Sequence, residues 1–388
     1  MKFISISVIL LAMMTHLLHA QNEPNVEWVK NFGGSGVDIG YYVQQTQDKG
    51  YVIVGETFSF DDTEYGDVYL IRIDSLGNLE WQKTFGGSSE FWGEDWGSCV
   101  QQTQDKGYII TGTTQSFNDT IYEDVYLIKT DLSGNLEWQK TFGGIYEDRG
   151  NFVRQTQDKG YIITGSTQSF NDTINGDFYL IKTDSFGNLQ WQKTFGGSGE
   201  EEANTVQQTN DNGYIIIGKG KVSNSYYAYL IKTDSLGNLQ WQRTYGENEE
   251  ECGNFSGQQT IDKGYIITGL IRTSEEILPK IFLLKADSLG NLQWQNTFGG
   301  NERTWSNFVQ QTQDKGYIVV GFIDGGRDVY VIKMDSLAIH QWKKTFGGAG
   351  YDEGYCVQQT QDGGYIITGE YFNISSNDKN VYLIKIEP

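Results

Sequence analysis

The residues best suited to chemistry in this sequence are aromatic and acidic, and they share a few polar segments. Trp92, Trp96 and Trp305 stand outside a recurring tryptophan pattern described below, and Tyr146 and Tyr351 occupy comparable segments. Glu94 and Asp95 lie between Trp92 and Trp96. An indole offers an apolar face and one N–H donor, so an exposed tryptophan stacks on a sugar ring or a peptide side chain while nearby carboxylates take hydroxyl or cationic groups. These seven residues form the candidate ligand-binding set. The competing reading packs the aromatics locally within the long loop 88–97. A second acidic group, Glu247, Glu249, Glu250 and Glu251, offers the oxygen ligands that Ca²⁺ takes, as does Asp61-Asp62-Thr63-Glu64, but neither has the alternating spacing of a known calcium loop. No other cofactor is indicated.

Histidine limits catalytic readings. Of three histidines, His16 and His19 fall in the N-terminal leader, which leaves His340 on a predicted surface strand. A histidine metal cluster is excluded, and a Ser-His-Asp triad would need His340 far from any central cavity. A pair of carboxylates roughly 5–10 Å apart can still serve as acid and base on a glycosidic bond. No glycine-rich phosphate loop opens a helix.

The formal net charge of −21 works against nucleic acid and favours cationic or neutral partners. Lys2, the apolar run from Ile4 to Met14 and the small residue Ala20 read as a secretory signal over residues 1–20, giving a mature chain from Gln21. That run is shorter than the roughly 20 residues a membrane helix needs, and no second one occurs, so no transmembrane segment is expected after cleavage. The expected location is periplasmic or secreted. Three cysteines, Cys99, Cys252 and Cys356, build no disulfide framework, and Cys99 and Cys356 read as buried free thiols.

The elements that position these residues follow from a repeat. Tryptophan recurs at Trp28, Trp81, Trp138, Trp191, Trp241, Trp294 and Trp342, at intervals between 48 and 57 residues. A period of that size, with strong aromatic and glycine content, belongs to propeller blades. The fullest copies run WQKTFGG, an acidic loop, VQQTQDKGYIITG, a variable loop and DVYLIKTDSLGNLEW. Four strands are legible in each: a polar inner strand (Val100 to Thr103), two strands apolar on both faces (Tyr108 to Gly112, Asp124 to Lys129), and an outer strand in which Leu136, Trp138 and Phe142 are expected to face inward. The mature chain opens on a lone outer strand, Val26 to Phe32, and closes on Val381 to Ile386, a third strand without its outer partner. The expectation is therefore an all-β, seven-bladed propeller over 21–388, with four-stranded antiparallel blades and a ring closed by the N-terminal strand in the last blade.

The unit WQKTFGG…VQQTQDKGYIITG…DVYLIKTDSLGNLEW resembles the tandem propeller repeat of secreted and surface proteins of Bacteroidetes-type bacteria, over Val26 to Ile386. Many of those proteins carry a C-terminal secretion-sorting domain; none is recognised up to Pro388, so that route is not implied. The turn Thr103-Gln104-Asp105-Lys106-Gly107 is similar to the Asp-box of sialidase-like propellers, a structural turn that carries over no catalytic residue.

Near-identical turns on one face read as scaffold, while the variable, acidic and aromatic connections occupy the other. The function expected is an exported, monomeric, non-enzymatic binding or scaffold protein, taking a glycan, peptide or cation on the loop face. A carboxylate-dependent carbohydrate hydrolase or lyase, and a purely structural envelope protein, are the alternatives. The first predicts that Trp92, Trp96 and Trp305 converge on one patch.

Overall fold

The computed structural model describes residues 23–388 apart from 61–64, 88–92, 118–120, 171–174, 198, 223–224, 247–254, 273–277, 300–301, 325–326 and 376. The signal segment 1–20 therefore lies outside the described residues. Strand β1 (Val26–Phe32) precedes the first complete blade, β2 (Asp38–Gln45), β3 (Tyr51–Thr57), β4 (Asp67–Ile73) and β5 (Leu79–Phe85). Five further blades repeat this order, beginning with inner strands β6 (Asp95–Gln102), β10 (Asp148–Gln155), β14 (Glu200–Gln208), β18 (Ser256–Gln259) and β22 (Thr304–Gln311). The seventh contains β26 (Asp352–Gln359), β27 (Tyr365–Asn373) and β28 (Asp378–Ile386), and β1 completes it in the order β1-β28-β27-β26. Antiparallel pairing from Val26↔Ile386 to Phe32↔Val381 closes the ring as the two chain ends imply.

The two middle strands of each blade are buried on both faces, because neighbouring blades cover them, and they supply most of the core. Each repeat tryptophan packs against the first tyrosine of the next blade's second strand. The ring centroids lie 5.8–5.9 Å apart, from Trp28–Tyr51 to Trp342–Tyr365. The fixed spacing of Trp and Tyr is thus an inter-blade contact, each worth about 0.5–1.5 kcal/mol beyond its buried area. Leu136 departs from expectation: it is 48% exposed, because the outer strand buries only its Trp and Phe against the neighbouring blade. His340 is exposed on the sixth blade's outer strand.

Two polar devices recur around the ring. The glutamine pair of VQQT joins blades: Gln44 Oε1 accepts Gln102 N–H at 2.6 Å, and Gln102 Oε1 accepts Gln47 N–H at 2.9 Å. Gln45 Oε1 accepts Gln361 N–H at 2.8 Å across the closure. The Asp-box-like turn buries a cation: Lys232 Nζ meets Asp211 Oδ2 at 2.9 Å, while Asp211 Oδ1 accepts the Thr209 hydroxyl and Gly213 N–H. The same arrangement joins Arg72 to Asp48 (2.6 Å), Lys129 to Asp105 (3.1 Å), Lys182 to Asp158 (2.9 Å), Lys285 to Asp262 (3.0 Å), Lys333 to Asp314 (2.8 Å) and Lys385 to Asp362 (3.0 Å).

Burial pushes each of these carboxyls up, but the threonine hydroxyl, the lysine or arginine charge and the glycine amide outweigh it; all seven sit below the ordinary value, Asp211 at about 2. A carboxyl depressed in the folded state stabilises the fold above its unfolded value, near 3.9, and that contribution disappears as pH falls through the folded value. Melting temperature is therefore expected to drop between about pH 4 and pH 2. An Asp211→Asn variant, less stable at pH 7, should show a shallower acid drop in calorimetry; an identical drop in both proteins would remove these turns as its cause.

Candidate functional site

The inner strands frame a central channel, and their sequence differences decide what it contains. Among the described residues the inner strand carries a β-bulge in six blades, for example between Gly40 and Tyr42, between Gly150 and Phe152 and between Ser306 and Phe308. Such a bulge re-aims the following side chain. Here it brings Tyr42, Phe152 and Phe308 together on the axis, with centroids 5.7 Å and 5.9 Å from Tyr42, edge to face. These rings close the channel midway. The polar inner strands expected from the sequence line the channel on both sides of these rings, with glutamines on the turn side and asparagines on the loop side.

Cys99 and Cys356 occupy the same level of the ring, on either side of Tyr42's blade. Both are free and fully buried, and each thiol donates to a neighbouring blade's carbonyl, Val153 O and Val43 O, at 3.8 Å. Cys252 lies outside the described residues.

Above the aromatic floor, on the loop face, a funnel of about 330 Å³ is lined by Trp96, Tyr41, Tyr355, Asn151, Asn204 and Asn307, with Phe255, Ser98 and Glu202. The asparagines occupy one repeat position. Each Nδ2 donates to the next blade's backbone, to Ala203 O (3.1 Å), Phe255 O (2.8 Å) and Gly354 O (2.9 Å), and their Oδ1 atoms accept nothing among the described residues. Tyr41 and Tyr355 pack at 5.5 Å, and each donates to a glutamate at 3.2 Å, Glu56 and Glu353. Burial lifts Glu56 to about 7, despite the Tyr41 hydrogen bond that opposes it. Burial followed by the nearby Glu370 charge also raises Glu353. On the opposite wall Glu202 pairs with Lys219 at 2.8 Å and accepts from Asn151 at 3.1 Å. The funnel therefore combines aromatic faces and amide oxygens over a closed floor, while the two carboxyls bound to its tyrosines, Glu56 and Glu353, are not among its lining residues.

The residues singled out by sequence fall in different places. Trp96 lines the funnel. Trp305 occupies the same strand position in the sixth blade but stacks on Phe322, with centroids 4.6 Å apart and planes 12° apart, and is not among the lining residues. Tyr146 contacts Tyr122 at 5.8 Å, and Tyr351 lies beneath the Arg327 guanidinium at 5.1 Å; both are exposed, and neither lines the funnel. Glu94 is exposed beside the first residue of β6. Asp95 is fully buried: its Oδ2 accepts the Ser116 hydroxyl at 2.6 Å and Gly87 N–H at 3.1 Å. Asp38 and Asp148 do the same, so these acids fasten the turns entering their own inner strands rather than face a ligand. Trp92, Glu247, Glu249, Glu250, Glu251 and the segment 61–64 lie outside the described residues. Among the described residues no group of three His, Cys, Asp or Glu side chains is close enough to hold a metal.

Sequence reasoning missed the funnel's floor and its tyrosine–glutamate pairs. The signal available was the inner-strand position that reads Tyr42, Cys99, Phe152, Thr205, Ser256, Phe308 and Cys356, which varies, like the residue before it, where the residues that follow hardly change.

No family model matches the chain, and no curated protein matches it. Solved structures do. The polysaccharide lyase Uly1 superposes with a TM-score of 0.56 at 11% identity, over 92% of this chain and 90% of that one. A protein of unknown function from Dyadobacter fermentans gives 0.54 at 8% identity, over 92% and 99%. The α-L-arabinofuranosidase Arb93A from Fusarium graminearum gives 0.50 at 8% identity, over 94% and 98%. At such identities the likeness concerns the fold, and the chain is a seven-bladed β-propeller with its ring closed through β1.

Proposed function

We propose that this protein is an exported recognition propeller of the kind its repeat resembles in Bacteroidetes-type bacteria, and that its loop-face funnel takes a glycan. The observation carrying this reading is one blind funnel that gathers Trp96, the Tyr41–Tyr355 pair and the three asparagine amides. Aromatic faces suit the C–H surface of a sugar ring, and amide oxygens suit its hydroxyls. Calcium is not required by this arrangement, and a peptide is the ligand to seek next.

The test is a glycan array on the chain from Gln21 with Trp96→Ala and Trp305→Ala variants. Trp96→Ala is expected to weaken the best ligand roughly 30-fold, about 2 kcal/mol, as for a buried aromatic anchor. Trp305→Ala is expected to leave affinity unchanged. Equal affinities in all three proteins, or no glycan retained by folded protein, would overturn the reading.

Glu56 beside Tyr41 favours a second reading, a hydrolase or lyase, because a carboxyl near 7 is poised for proton transfer at neutral pH. Release of new reducing ends or unsaturated products from a bound polysaccharide, abolished in Glu56→Gln, would establish it. Binding without turnover would leave the recognition reading alone.

A further inference from the structure

The channel's other half, below the aromatic floor, is a second chamber of about 450 Å³ that opens on the turn face. Its chemistry differs from the funnel's. At the repeat position just beneath the floor, six blades place glutamine, Gln44, Gln101, Gln207, Gln258, Gln310 and Gln358, while the third places Arg154. Gln101, Gln207 and Gln310 line the chamber, and the carbonyl oxygen of each accepts the adjacent blade's backbone N–H, from Gln155 (2.7 Å), Gln259 (3.0 Å) and Gln359 (2.6 Å). Once the oxygen is used, the amide presents its N–H₂ end. Those three Nε2 groups have no partner among the described residues, so this part of the chamber wall is biased towards donors; Gln358, whose Nε2 donates to the Tyr42 hydroxyl at 2.9 Å, presents its oxygen instead.

Arg154 strengthens that bias. Its guanidinium lies 4.1 Å over the Phe152 ring and 5.5 Å over that of Tyr42. It donates to Val153 O (2.9 Å), Cys99 Sγ (3.4 Å) and the Tyr42 hydroxyl (2.6 Å), all of them neutral. A guanidinium has five N–H donors. Three are used, and two remain without a partner among the described residues. No carboxylate lies within ion-pair distance of Arg154 among those residues, whereas all seven cations of the Asp-box-like turns have an aspartate. In a chain this acidic, a guanidinium with only aromatic and neutral neighbours on the axis, facing amide donors, lacks one thing: an anion. The exposed Lys159 stands at the turn of Arg154's own blade and the exposed Lys106 at that of the blade before it, on this face.

We propose that the turn-side chamber binds a small oxyanion, a carboxylate of sugar-acid size, with Arg154 as the charged anchor and the Gln101, Gln207 and Gln310 amides as donors. Planar and bidentate carboxylate recognition is what arginine does best, and the volume lies within the usual range for small-molecule sites. The aromatic floor separates this ligand from anything in the funnel, so the two sites are chemically and sterically independent.

The test is isothermal titration of the chain from Gln21 with glucuronate, acetate, inorganic phosphate and sulfate, and with neutral glucose as control. The Arg154→Gln variant installs the residue of the other six blades, so the fold should tolerate it; its melting curve checks this. Glucuronate is expected to bind, more weakly as salt rises, and at least tenfold more weakly to Arg154→Gln, while glucose does not bind. Trp96→Ala should bind glucuronate as the parent does, which separates this site from the glycan funnel. Phosphate or sulfate binding better than either carboxylate, with the same loss in Arg154→Gln, would keep the anion site but overturn its carboxylate preference. Equal affinity in Arg154→Gln, or no anion bound by folded parent protein, would overturn the proposal.

Discussion

A chain shortened to begin at Gly33 is expected to lose its single cooperative melting transition and to associate. β1 is the outer strand of the seventh blade, and its removal strips β28 of pairing from Val381 to Ile386. It also removes the Trp28–Tyr51 contact across the junction with the first blade, the Glu27–Lys385 ion pair at 3.2 Å and the Lys344 contact to Pro24 O at 2.8 Å. Truncating one packed tryptophan alone costs about 3–5 kcal/mol, and the unpaired strand edge adds to it, so the loss should be on the order of 5 kcal/mol or more. The bared edge, Val-Tyr-Leu-Ile-Lys-Ile, is apolar and of strong β propensity, which makes it a template for other chains. Calorimetry and size-exclusion chromatography would follow both effects, and a synthetic Val26–Phe32 peptide should restore the monomer. A shortened chain that melts as the parent does would show that the ring does not depend on its clasp.

The second large effect concerns the floor of the channel. Phe152→Ala removes one of the three rings that meet on the axis, together with the face on which Arg154 lies. A buried Phe→Ala change costs about 3–5 kcal/mol. It should also connect funnel and chamber. Cys99 reports this, because it is fully buried at the same level and burial pushes its thiol above the ordinary value. In a Cys252→Ser background, labelling of Cys99 by a thiol reagent should be slow in the parent and faster in Phe152→Ala by at least an order of magnitude. Unchanged labelling in a folded Phe152→Ala protein would place the barrier elsewhere.

How far the sequence anticipated these features depended on whether they repeat. Blade number, strand order and closure were all legible, because seven copies report the same apolar periods and because the ends supply complementary halves of one blade. The tryptophan–tyrosine contact and the glutamine ladder were present as conserved spacing without an evident partner, since each joins residues of adjacent blades rather than neighbours in the chain. The site was much less legible. Trp96 could be picked out as an aromatic beyond the repeat, but Trp305 met the same criterion and instead stacks on Phe322. Asp95 read as a surface acid because its loop is acidic. The Thr-x-Ser pair that ends the second strand of the first three blades, Thr57 and Ser59, Thr114 and Ser116, Thr167 and Ser169, was the sign that the carboxylate is taken up internally. The aromatic floor needed three residues from blades one, three and six to meet at one level, and a single extra residue in each inner strand sets that level. Pattern alone does not reveal a bulge of that kind.

The clasp between β1 and β28 has a mechanical side as well. Because Val26 faces Ile386 and the strands run antiparallel, both ends of the chain leave the disc from one edge of the same blade. A pull applied to the two ends loads the ladder at its last rung, so the rungs fail in succession instead of sharing the force. Tension through both termini would peel the seventh blade open at low load, while tension between two neighbouring loops elsewhere on the ring would have to break a whole blade interface at once.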